Sequence, residues 1–163
     1  MAAGTLKALD TFLPEYEFSE RHAIRVHASA ERIDEAIRSL AAADIPLVGA
    51  LLRLRALGRK PRRGPIIESA RLLDESPGEG VVLGLSGQFW RLRGNLGGHG
   101  PDVCEAVFDF RIDGDRVTTE TRVHVEDPHA RRKFARYWRI IRPFSGLTRI
   151  LFLREIKRTA ESV

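Results

Sequence analysis

Cysteine is almost missing from this chain: Cys104 is the single one among 163 residues. No internal disulfide can form, so the fold must rest on its own core, for which this length suffices without bridges or metals. Long apolar runs are missing too, since none approaches the roughly 20 residues that span a bilayer. The N-terminal MAAGTLKALDTFLPEYEF also lacks a basic stretch followed by an apolar one, as a secretion signal would need. These absences predict a soluble, cytoplasmic chain folding as one domain over residues 1–163. Metal-ligand spacing is equally lacking. His22, His27, His99, His124 and His129 form no HxxxH pair and no His/Cys pattern, which argues against a metal site. The glycines of RGNLGGHG (93–100) have neither dinucleotide nor P-loop spacing, and no βαβ unit surrounds them, so no cofactor is expected. Gly84-Leu85-Ser86-Gly87-Gln88 fails as a nucleophile elbow because Gln88 stands where the final glycine should be.

Acidic residues are scarce in two places. Between Asp127 and Arg158 ten Lys or Arg meet only Asp127 and Glu155, a local charge of +8 against +5 for the whole chain, which leaves −3 for the remainder. A second block, Arg53, Arg55, Arg59, Lys60, Arg62 and Arg63, contains no acid. Such patches suit an anionic membrane surface or RNA, although a solvated arginine-rich surface is the simpler account of them.

What the chain does contain is clear periodicity. Phe18, Ile24 and Val26 alternate with Arg21, Arg25 and His27, predicting a strand over 17–28. Ser29 caps a helix through Ala41, with Ile33, Ala36, Ile37 and Leu40 on one face. A second helix follows Asp44 and Pro46, carrying Leu47, Leu51, Leu54 and Leu57 until Gly58. The basic, Gly- and Pro-punctuated 58–65 reads as a loop. Strands over 66–74 and 80–90 are predicted to form a hairpin through Ser76-Pro77-Gly78-Glu79, with Phe89 and Trp90 on opposite sides. Residues 91–101 are irregular.

The segment from Val103 to Glu126 reads as a second hairpin about Gly114-Asp115. Its register sets Ile112 opposite Val117, Phe110 opposite Thr119 and Phe108 opposite Thr121 on the core side. Glu120, Arg122 and His124 then lie on the other face as an ion-pair ladder; turned inward, they could act as acid and base on an enolisable ligand. Cys104 is read as a small buried hydrophobe rather than a nucleophile. Asp127 and Pro128 mark the start of a long amphipathic helix reaching Glu161. Its apolar stripe includes Phe134, Trp138, Ile141, Leu147, Ile150, Leu151 and Leu153. Pro143 is predicted to break or kink it.

Strand, two helices, a run of antiparallel strands and one long C-terminal helix make an order that covers nearly the whole chain. Together with GLSGQFWRLRG (84–94) and TTETRVHVEDPHARRKFARYWRIIRPFSGLTR (118–149), it resembles the START-like, or SRPBCC (polyketide cyclase/dehydrase-like), superfamily. The resemblance implies an α+β helix-grip fold: a curved antiparallel sheet wrapped around the C-terminal helix, with two short helices between the first and second strands. It also implies a cavity between sheet and helix for an apolar or amphipathic molecule, lipid- or polyketide-like. Members bind, transport or transform their ligands, so binding and cyclase/dehydrase-type catalysis both stay open, and the resemblance carries over no catalytic residue. Candidate ligand contacts are the aromatics Phe89, Phe108, Phe110, Phe134, Tyr137, Trp138 and Phe144, for which ordinary core packing is the competing role. Thr119 and Thr121 on the inward sheet face, and Ile141 beside Pro143, complete the set.

Overall fold

A five-stranded antiparallel sheet with the order β1-β5-β4-β3-β2 forms the frame on which everything else is placed. The computed structural model describes residues 7–55, 64–91 and 98–162. Its strands are β1 (Phe18–Arg25), β2 (Arg71–Ser76), β3 (Gly80–Gly87), β4 (Cys104–Asp113) and β5 (Arg116–Val125). The helices are α1 (Ala30–Ser39), α2 (Pro46–Arg55), the single turn α3 (Ile66–Ser69) and α4 (Pro128–Glu161). The long α4 packs on one face of the curved sheet, which is the helix-grip arrangement.

The β4–β5 hairpin has the register its sequence predicts. Phe108 faces Thr121 and Ile112 faces Val117, while Gly114 takes a positive φ of 59° in the turn, where glycine carries no Cβ penalty. Because strand side chains alternate, this register sends Phe108, Phe110, Val117, Thr119, Thr121 and Val123 to the buried side. β1 contributes Phe18, Glu20, His22 and Ile24, half-buried, to the same face and exposes Ser19, Arg21, Ala23 and Arg25. The other face of the sheet is also covered. Leu9 and Leu13 of the lead-in pack on Val82 and Val107 with Phe12 and Leu73.

Helix starts follow their capping chemistry. The Ser29 hydroxyl accepts the Arg32 N–H at 3.4 Å, and Ile33, Ala36 and Ile37 of α1 enter the main core. The Asp127 carboxylate accepts the Ala130 N–H at 2.6 Å, with Pro128 in the first turn of α4.

Four expectations need correction. The strand predicted over 17–28 stops at Arg25, and the Val26 N–H turns to the Asp115 carbonyl at 2.7 Å. Ile66–Ser69 is helical rather than strand: the Ile66 N–H bonds the Leu40 carbonyl at 2.8 Å, and the buried side chain joins the core around α1, so tertiary packing overrides the β preference of the Ile-Ile pair. The strand predicted to Trp90 ends at Gly87, after which the Arg91 N–H closes a turn on the Gln88 carbonyl at 3.0 Å. Phe89 and Trp90 therefore do not sit on opposite sides; both pack against one cluster. Finally, of the break or kink predicted at Pro143 the break does not occur, since α4 is one helix from Pro128 to Glu161. Pro143 and Arg139 are both exposed, so the Arg139 carbonyl that loses its N–H partner can be hydrated, which keeps the cost of the proline low enough for the helix to continue. The basic block over 56–63 and the stretch 92–97 lie outside the described residues.

Candidate functional site

The aromatic candidates separate into three environments. Phe134 is the centre of the first: its ring lies 4.8 Å from Phe18, 5.7 Å from Tyr137 and 5.8 Å from Trp138. Cys104, Ala106, Val123 and Val125 close this cluster, with Phe89 and Trp90 at its border. Cys104 is fully buried there, and burial pushes its thiol up to about 12, which makes it an inert hydrophobe at neutral pH. Phe110, with Phe108 beside it at 6.4 Å, belongs to the main core. Thr119 is buried and donates to the Asp109 carbonyl at 2.7 Å.

Tyr137, Ile141 and Phe144 form the third environment, the wall of a cavity of about 440 Å³. Ser145, Thr148, Arg149 and Phe152 of α4 extend that wall, and Val48, Leu51 and Leu54 of α2 face it. The cavity thus lies between α2 and α4, and among the described residues no sheet side chain lines it. Its geometry follows from the two helical stripes: Tyr137, Ile141, Thr148 and Phe152 fall on one flank of α4, and the buried Val48 seats α2 against it. The lining is almost entirely apolar, with a few polar groups, the usual make-up of a small-molecule site. A second hollow of about 190 Å³ on the opposite sheet face, beside Phe12, Leu73, Ser86, His99 and Glu105, is smaller and more polar.

Arg149 is one of the residues lining the larger cavity. Its guanidinium lies 4.5 Å from the Phe108 ring centre and 5.9 Å from that of Phe152, positions suited to cation–π attraction. Nη1 is out of contact with solvent and has no hydrogen-bond partner. Burial pushes Arg149 down to about 10, against the attraction of Glu20 and Asp109, so it is still a cation at neutral pH. Glu20 and His22 sit under α4 nearby, joined at 3.0 Å. Gly146 makes room for them, since a Cβ there would come within 2.5 Å of Glu20 Oε1. Glu20 Oε2 and Thr121 Oγ1 are also buried without partners, and these two residues are paired across β1 and β5. Buried polar groups normally find partners, so these orphan atoms on β1, β5 and α4 are polar groups that the packing leaves unsatisfied.

Sequence reasoning missed Glu20, His22 and Arg149. A signal existed for the first two, because they share strand parity with Phe18 and Ile24. For Arg149 it was the cation between Leu147 and Ile150 on an apolar stripe.

Glu120, Arg122 and His124 take the outer sheet face, as the register predicts. Arg122 bonds Glu120 at 2.8 Å and also Asp10, and it lies 4.5 Å over the Tyr16 ring. Burial works against its charge, but these partners raise its pKa overall. His124 meets Glu17 at 3.0 Å. The ladder is structural. Among the described residues no group of His, Cys, Asp and Glu could hold a metal ion, and no helix is long and apolar enough to cross a membrane.

The outer side of α4 mixes two kinds of exposed residue. Arg132, Lys133, Arg136, Arg139 and Arg142 are exposed, whereas Arg131 is tied to the Val125 carbonyl at 2.9 Å and to Glu17 at 3.4 Å. Among the cations stand Ile140, 71% exposed, Phe144 and Leu147, and across the cavity mouth Leu47 and Leu54 of α2, the latter 74% exposed. Comparison of this chain with protein-family models, curated proteins and solved structures finds no match.

Proposed function

We propose that this protein binds an apolar or amphipathic small molecule, of lipid or polyketide kind, in the cavity between α2 and α4. The observation that carries the reading is the apolar, 440 Å³ cavity beside the sheet-gripping helix. The START-like resemblance of element order and of segments 84–94 and 118–149 supports ligand binding beside the C-terminal helix, although it implies a cavity between that helix and the sheet. Burying an alkyl chain there gains about 0.8 kcal/mol per methylene, enough for micromolar binding by a chain of moderate length. A cyclase/dehydrase-type reaction needs ionisable groups converging on the substrate. Only Arg149 of the Glu20, His22 and Arg149 group lines the cavity, which favours binding over acid–base chemistry.

The test is to fill the cavity. Thr148→Phe places a ring in the space without touching the buried core, so a fluorescent alkyl probe that binds the native protein at one site should lose at least tenfold in affinity while the melting temperature changes little. Absence of saturable binding to the native protein would end this reading.

A second reading concerns the rim. Exposed Ile140, Phe144 and Leu147 between arginines favour an anionic lipid surface over RNA, because apolar side chains gain nothing against a phosphate backbone but insert between acyl chains. Each cation near an anionic surface is worth about 1 kcal/mol. Arg132→Glu with Arg136→Glu is therefore expected to weaken binding to phosphatidylserine vesicles at low salt by well over tenfold. Unchanged vesicle binding would remove the support for membrane association.

A further inference from the structure

Among the described residues Arg149 is the one charged group in the cavity wall, and the protein does little to satisfy it. No hydrogen bond and no ion pair within 4 Å involves its guanidinium among the described residues; Nη1 is sealed from solvent and unpartnered. The anion that attracts it most, Glu20, holds His22 at 3.0 Å through one carboxylate oxygen and leaves the other without a hydrogen-bond partner, beyond ion-pair distance of the guanidinium, and Asp109 lies on the far side of the sheet, where Arg111 is 3.5 Å away. Stacking on Phe108 orients the planar group without neutralising it.

A half-buried cation whose Nη1 is sealed and unpartnered is costly, and apolar residues of similar volume at such positions are often more stable. Its presence in the wall of an apolar cavity is explained if the counter-ion arrives with the ligand. Resting on the cavity reading above, we infer that the ligand is an amphipathic monocarboxylate whose alkyl or aryl body fills the space between α2 and α4 and whose carboxylate pairs with Arg149.

Three features select this head group. A carboxylate can take two parallel N–H bonds from a guanidinium, where a hydroxyl takes one. A single cation balances a single negative charge, which disfavours dianionic phosphates in so apolar a space. Ser145 and Thr148 on the same wall offer hydroxyls to a head group of this size.

The experiment compares decanoate with decanol on the native protein and on Arg149→Met and Arg149→Lys, by calorimetry at neutral pH. The native protein should prefer decanoate. Arg149→Met should weaken decanoate by about 10- to 150-fold, the range covered by hydrogen bonds to charged groups, while decanol binding stays within threefold. Arg149→Lys, which keeps the charge, should recover part of the loss. Thermal melting of the ligand-free proteins gives a second readout: Arg149→Met should melt no lower than the native chain, because it removes an unpaired, half-buried charge.

Equal affinities of the native protein for the two probes would overturn the carboxylate assignment and leave the cavity reading standing. So would an equal loss of both probes in Arg149→Met, since Arg149 would then only shape the cavity. Failure of both probes to bind the native protein would instead remove the cavity reading, and the head-group inference with it. A marked fall in melting temperature for Arg149→Met would make Arg149 a structural cation held by Glu20 and also overturn the assignment.

Discussion

Gly80→Ala should destabilise the fold by roughly 3–5 kcal/mol, the combined size of backbone strain and overpacking. Gly80 opens β3 with φ at +122°, a conformation that side chains resist. A Cβ there would overlap the Phe110 carbonyl oxygen and lie 2.9 Å from its carbon. The obstacle is the backbone of β4, the middle strand of the sheet, so it cannot swing aside as a side chain could. Gly114→Ala is the natural control. That residue also has positive φ, 59°, but no atom lies within 4 Å of its Cβ position, so the loss should stop at about 1–2 kcal/mol. Urea unfolding measures both, as a shift of midpoint at constant slope. Equal losses at the two positions would mean that the close approach of β3 to β4 contributes nothing.

Phe134→Ala should cost about 3–5 kcal/mol, the usual penalty for emptying a buried phenyl site. Phe134 is 2% exposed and makes edge and stacked contacts with Phe18 and Trp138. Such pairs add to the area term, and the rigid sheet below cannot collapse to fill the void. If the cluster is packing alone, decanoate affinity at the separate α2–α4 cavity should stay within threefold of native at a temperature where the variant is folded. Tyr137 borders both regions, and a large loss of affinity would show that the aromatic cluster shapes the cavity. Small destabilisation would contradict the closed packing around Phe134.

The parts of this protein that were legible before folding are those decided by neighbours along the chain. The β4–β5 register follows from a two-residue turn and a period of two, both local. The start of α4 follows from Asp127 and Pro128, and the capping of α1 from Ser29. Inward placement of Thr119 and Thr121, and outward placement of Glu120 and Arg122, then required no further information.

Tertiary structure decided the rest, because the deciding contacts lie far apart in sequence. Ile66 becomes helical through a hydrogen bond to Leu40 and burial beside α1. Residues 9–13 carry no clear period, yet cover the outer face of the sheet. The aromatic candidates looked equivalent along the chain, and only packing sends Phe134 and Trp138 into a closed cluster while Tyr137, Ile141 and Phe144 border open space. Arg149 most of all depended on the fold. Its neighbours in sequence make it one more cation on a basic helix; its partial burial over Phe108, near a Glu20 already bonded to His22, arises only when α4 closes on β1, β4 and β5. Desolvation is a property of all the atoms around a group, and no spacing along the chain encodes it.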